Sequence, residues 1–199
     1  MPRALIIVIL IVLLAVGAFF ASPLFYDRTV NEEFDIFLPS GGLDMAAVMA
    51  MPEEKRVSMK DEIMDAAAKT PDTAADEAMP EAAPTQVARG EFRDADAVHK
   101  GSGNAIVYRL PDGRHVVRFE DFRITNGPAL VVYLAKHPDP ASAGDVTDGG
   151  FLDLGKLKGN VGNQNYVIPT ETDISGYGSV VIWCELFDVL FSPASLQTL

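Results

Sequence analysis

The chain has 199 residues, 48% of them apolar, and a formal net charge of -12. That balance excludes a nucleic-acid surface, which needs a basic patch, and works against adsorption to anionic lipid. A single cysteine excludes a disulfide within the chain.

Residues 4–21 (ALIIVILIVLLAVGAFFA) carry no charge, and the apolar run extends to Tyr26. This is close to the roughly 20 residues a helix needs to span a bilayer. A cleaved signal peptide would end in a small-x-small site. Here two phenylalanines separate Ala18 from Ala21, so residues 1–26 read as an uncleaved transmembrane signal-anchor. Arg3 precedes the run, and Asp27, Arg28, Glu32, Glu33 and Asp35 follow it. Positive charge favours the cytoplasm, so everything after the anchor is expected outside it, on a single-pass chain.

Residues 27–89 form a spacer rich in alanine, proline and acidic side chains. Phe34, Ile36 and Leu38 give a weak strand-like pattern, ended by Pro39 and Gly41-Gly42. Residues 46–69 contain good helix formers with a broken apolar stripe, which predicts at most a short helix. Five methionines between Met45 and Met64 invite a copper(I) reading. Their spacing is irregular and neither histidine nor cysteine joins them, so ordinary helix formation is the simpler account. From Pro71 to Gln86 the chain offers almost nothing to bury and reads as a flexible, disordered acidic linker.

From Gly90 the pattern changes to short β-branched and aromatic segments with turn signals between them. They are GEF, AIVYRL (105–110), HVVRFEDF (115–122), ALVVYLAK (129–136), FLDLGKLKG, NQNYVIP and the closing strand within 179–196. Residues 90–199 are thus expected to be an all-β domain, a small antiparallel β-sandwich or barrel.

No catalytic set stands out. Ser102 lies near His99 without an elbow motif. His99, His115 and His137 are scattered where a zinc site wants clustered ligands. An enzyme is therefore not the expected reading, and no catalytic residue is assigned. Two features remain. The run GNVGNQNY places Asn160, Asn163, Gln164, Asn165 and Tyr166 together. It is either a ligand loop or a turn whose amides bond their own backbone. The other feature is Cys184 beside Trp183. Strand alternation puts Cys184 on one face with Val180 and Ile182, and Trp183 on the other with Val181 and Glu185. A free cysteine is by default a small buried hydrophobe. An unpaired one in an exported protein also flags a reactive thiol or a bond to another chain.

Residues 90–196 resemble the DM-thirteen domain family. The opening strands GEF and HKGSGNAIVYRLPDGRHVVRFEDF look like that family's, as does the NGP-x-L-x-V-x-L signature at Asn126, Gly127, Pro128, Leu130, Val132 and Leu134. The block LG-x-LKG-x-x-G-x-QNY at 154–166 and the closing IWC segment match too. The resemblance implies a β-sandwich-like fold and an electron-transfer role resting on the residue at Cys184. That residue would act either as a naked thiol or as the thiolate ligand of a prosthetic group such as haem, for which no covalent C-x-x-C-H motif exists here. The partner would then be a redox protein. The alternative is a cell-surface binding or adhesion module in which Cys184 is structural and the 159–166 loop meets a surface ligand.

Overall fold

A computed structural model describes residues 44–79 and 84–199, which fall in one unit spanning Asp35–Leu199. The expected anchor at 1–26 and the strand-like pattern at 34–38 lie outside the described residues. Among those described, no helix is long and apolar enough to cross a membrane.

The alternating segments become strands β1 (Thr85–Glu91), β2 (Gly101–Arg109), β3 (His115–Ile124), β4 (Leu130–Ala135), β5 (Phe151–Lys156), β6 (Gln164–Ile168), β7 (Ser179–Cys184), β8 (Val189–Ser195) and β9 (Gln197–Thr198). They form two antiparallel sheets, ordered β6-β3-β2-β1-β9 and β5-β4-β7-β8. The arrangement is sandwich-like. Val107, Val117 and Phe119 from the first sheet share a core with Val132, Val180, Ile182 and Cys184 from the second.

The PDG turn closes β2 onto β3: the Leu110 amide donates to the Arg114 carbonyl, and Gly113 has φ 87°. The runs VVYLA and VVIWC are apolar at every position because β4 and β7 are buried on both sides. Their outer face (Val131, Tyr133, Val181, Trp183) packs with Val146 of helix α4 (Ala143–Thr147), which lies in the long loop after β4. A capping box of Ser142 and Asp145 starts that helix.

Two findings differ from the sequence reading. Residues 179–196 are not one closing strand but a hairpin: β7 turns through Glu185–Asp188 into β8, with Asp188 at φ 52°. The alternation persisted up to Cys184, and the apolar Leu186-Phe187 pair in the turn disguised the break.

The second difference is in the spacer. Residues 44–69 form three short helices, α1 (Met45–Ala50), α2 (Glu53–Ser58) and α3 (Lys60–Ala68). Asp44 caps α1 by accepting from the amides of Ala46 and Ala47. Helices of this length are marginal alone. Their buried residues Val48, Met51 and Ile63 pack on Leu186 and Phe187 of the β7–β8 turn, so tertiary burial holds them. Residues 71–78, expected to be disordered, lie extended along the domain. Composition alone could not reveal this docking, because polar contacts hold it.

Candidate functional site

Cys184 ends β7 on the face turned into the sandwich, as alternation required, and is 0% exposed. Its S–H donates to the Pro128 carbonyl at 3.0 Å. The backbone N–H groups of Phe187 and Leu186, in the turn that follows, favour its thiolate form. Burial pushes the thiol up to about 11 and outweighs those N–H groups and the charge of Lys60, which pull it down; Asp188 raises it further. Lys60 lies on α3 and holds its Nζ 5.7 Å from the Phe187 ring. Neither Lys156 nor Lys158, the nearest cations by sequence, contributes to that balance. Glu185 instead accepts a hydrogen bond from Tyr133 Oη. Trp183 takes the opposite face, stacks on Tyr133 and stands away from the thiol's side of the sheet.

The thiol is thus neutral at physiological pH and screened. One side is the sheet; the other is the turn under α1–α3. A cleft of about 560 Å³ opens between α3 and the 96–99 turn, lined by Met64, His99, Asn126, Val189 and Phe191 among others. Cys184 lines neither this cleft nor the three other best-formed clefts among the described residues. A haem thiolate needs its sulfur on the wall of a cavity, so haem does not fit this closed arrangement.

The polar loop divides into two classes of residue. Gln164 is 0% exposed and staples the loop: its Nε2 donates to the Gly159 carbonyl (2.7 Å) and its Oε1 accepts from Tyr166 Oη (2.7 Å) and the Gly159 amide (3.3 Å). Burial drives the Tyr166 phenol upward, and the hydroxyl also accepts from the Lys158 amide. These two residues build the loop.

The asparagines face outward onto residues 70–78. Asn160 Oδ1 accepts from the Thr73 amide (2.6 Å) while its Nδ2 donates to Asp72 (2.7 Å). Asn163 Nδ2 donates to Asp76. Asn165 Nδ2 donates to the Ala78 carbonyl, and its own amide donates to Glu77 (2.7 Å). Main-chain bonds run alongside: Ala75 N–H to Val161 O, and Glu77 N–H to Asn163 O, both 2.9 Å. Ala74 and Val161 form a parallel bridge. Three cations complete the contact. Lys158 pairs with Glu77 at 2.7 Å and Arg123 with Asp72 at 2.8 Å. Arg118 is almost buried beside Glu120 and donates to the Glu77 carbonyl. The Lys158 bond, then the Asn165 amide against burial, holds the Glu77 carboxyl below its usual range. The Asn160 amide, then Arg123, does so for Asp72.

Two glycines show how closely this segment is seated. A Cβ on Gly159 would overlap the Thr73 carbonyl oxygen, and one on Gly162, which has φ 100°, would overlap that of Ala75. The sequence marked the asparagines but not their occupant. The charges of Asp72 and Glu77, set against Arg123 and Lys158 far along the chain, carry no local signature.

The family model described as electron transfer DM13 matches residues 91–196, more than half of the chain. No curated protein and no solved structure matched it.

Proposed function

The chain belongs to the electron transfer DM13 family, and on that premise we propose that it is a membrane-tethered, extracytoplasmic electron-transfer domain whose redox group is Cys184. The tether is the apolar run at 4–21. The observation that carries this reading is the electron-transfer family match over residues 91–196, within which Cys184 lies. The backbone N–H groups of Phe187 and Leu186 pull the thiol's pKa down against its burial, and such donors stabilise a thiolate once solvent or a partner relieves that burial. The closed state protects the thiol, and exchange requires the turn and the helices above it to move.

The test uses the full-length protein in glutathione buffers of graded redox ratio. The reaction is Cys184–SH plus glutathione disulfide giving the mixed disulfide plus glutathione: the Cys184 sulfur forms a new S–S bond, and the electron pair of the broken S–S bond and the thiol proton leave with the released glutathione. A mass shift at Cys184 in folded protein supports the proposal. Modification only under unfolding conditions overturns it.

The complete burial of Cys184 and its bond to Pro128 favour a second reading, a surface-binding module with a structural thiol. In that case Cys184→Ala leaves ligand binding intact, and the glutathione experiment gives no native adduct.

A further inference from the structure

The β6 side of the first sheet is a sheet edge, and unpaired edges invite another strand. Here residues 161–163, just ahead of β6, are paired on one side with β3 through Arg123 and on the other with Ala74. The chain therefore lays an extended segment of its own against this edge through a single parallel bridge at Ala74 and flanking main-chain bonds, in the manner by which extended peptides are recognised at sheet edges. Main-chain bonds at Val161 and Asn163 hold the backbone of the added strand. The carboxylates are then read by the side chains of Arg123 and Asn160 at one end for Asp72, and by the Lys158 side chain with the Asn165 backbone N–H at the other for Glu77.

The groove belongs to the family domain, while its occupant lies outside residues 91–196. Every nearest atom that a Cβ on Gly159 would meet belongs to residues 73–75. Since Gly159 is not in the left-handed region, its lack of a side chain serves the close approach of this segment and not the turn itself.

We propose that the 158–165 loop with Arg118 and Arg123 is a recognition site for an extended acidic polypeptide of a partner protein, filled in the resting chain by residues 71–78. A partner segment with carboxylates spaced like Asp72 and Glu77 displaces the intramolecular strand. The tethered strand competes at the high effective concentration of a short linkage, so partner binding is weak until that strand is loosened. Peptide recognition at this site does not require Cys184 to be redox-active.

The test uses the full chain carrying Asp72→Lys and Glu77→Lys, which sets the internal strand against Arg123 and Lys158. A fluorescent peptide of residues 70–79 (TPDTAADEAM) is titrated by anisotropy. The double variant should bind it at least tenfold more tightly than the unaltered chain. A peptide with Asn and Gln replacing its carboxylates should bind at least tenfold more weakly. Adding Gly159→Ala to the double variant should abolish binding, because the methyl group takes the peptide backbone's place. No binding by a double variant with unchanged Trp183 emission overturns the proposal, and so does binding indifferent to Gly159→Ala. Hydrogen exchange on the unaltered chain decides the matter if the variant does not fold. The amides of Ala75 and Glu77 must exchange well ahead of those in β3 and β6, and equal protection marks the strand as permanent structure and overturns the proposal.

Discussion

Ile63→Ala isolates the role of the helical layer over Cys184. Ile63 is fully buried and packs with Val48 and Met51 against Leu186 and Phe187, in the turn that directly follows Cys184. Truncating a buried isoleucine to alanine costs about 2–5 kcal/mol. If α1–α3 open as a local unit, that loss raises the open population roughly 30-fold to several thousand-fold. Cys184 is the only thiol, so maleimide labelling followed by intact mass reads one site. The thiol itself is unchanged between the two proteins, and the ratio of labelling rates therefore reports access alone. Ile63→Val, at about 0.5–1.5 kcal/mol, should fall between them. Urea unfolding followed by Trp183 emission measures the sheets separately. A labelling rate within about threefold of the unaltered protein would refute the shielding argument. The same holds if labelling rises only as far as global stability falls, since access would then come from unfolding of the domain.

Three further outcomes follow from the site. Between pH 9 and 11 the unfolded chain releases the Cys184 proton while the folded chain keeps it. Stability present below the ordinary thiol value of 9.0 should therefore fall by roughly 1.4 kcal/mol per pH unit, up to about 3 kcal/mol. Urea midpoints compared with Cys184→Ala separate this slope from that of the buried tyrosines. The sign reverses for the docked strand. Asp72 and Glu77 are held below their usual range, so their contribution is present above that range and lost as pH falls through it; protection of the Ala75 and Glu77 amides, taken relative to the intrinsic exchange rate at each pH, should fall from pH 5 to pH 3 before that of the sheets. Finally, Gln164→Ala strips partners from the Gly159 carbonyl and Tyr166 hydroxyl and should cost about 1–3 kcal/mol for each group left buried and unpaired, whereas Asn163→Ala should cost under about 1 kcal/mol. Equal losses in urea titrations would contradict the division between loop-building and strand-facing residues.

The periodicity of two carried most of the fold. It placed Val117 and Phe119 in the core and Arg118 and Glu120 on the opposite face, where Arg118 is itself almost buried, and it put Cys184 on the core face with Val180 and Ile182. Alternation reads burial well because burial is local to a strand. It was blind where apolar residues serve a turn, as Leu186 and Phe187 do beneath the helices. It was equally blind to residues 71–78, whose alanines and carboxylates bury little. Their order comes from main-chain pairing and from cations and amides more than 40 residues away. The family block at 154–166 marked the loop, yet nothing local distinguished Gln164, which holds the loop together, from Asn163, which faces outward.

The junction between the two halves of the N-terminal extension is held to the domain by the NGP segment. Asn126 Nδ2 donates to the Thr70 carbonyl at 3.0 Å, where α3 gives way to the docked strand. Two residues on, the Pro128 carbonyl accepts the Cys184 thiol, and Ala129 at φ 49° accepts the Glu185 amide as the turn begins. The NGP segment therefore touches the strand on one side and the sulfur on the other. Release of the strand frees the C-terminal end of α3, the helix whose N-terminal half holds Lys60 and Ile63 against the thiol's turn. Helices of six to nine residues cannot persist without that packing. Occupancy of the acidic-peptide groove and exposure of Cys184 are thus thermodynamically linked, and a peptide that displaces residues 71–78 should raise the labelling rate of the thiol.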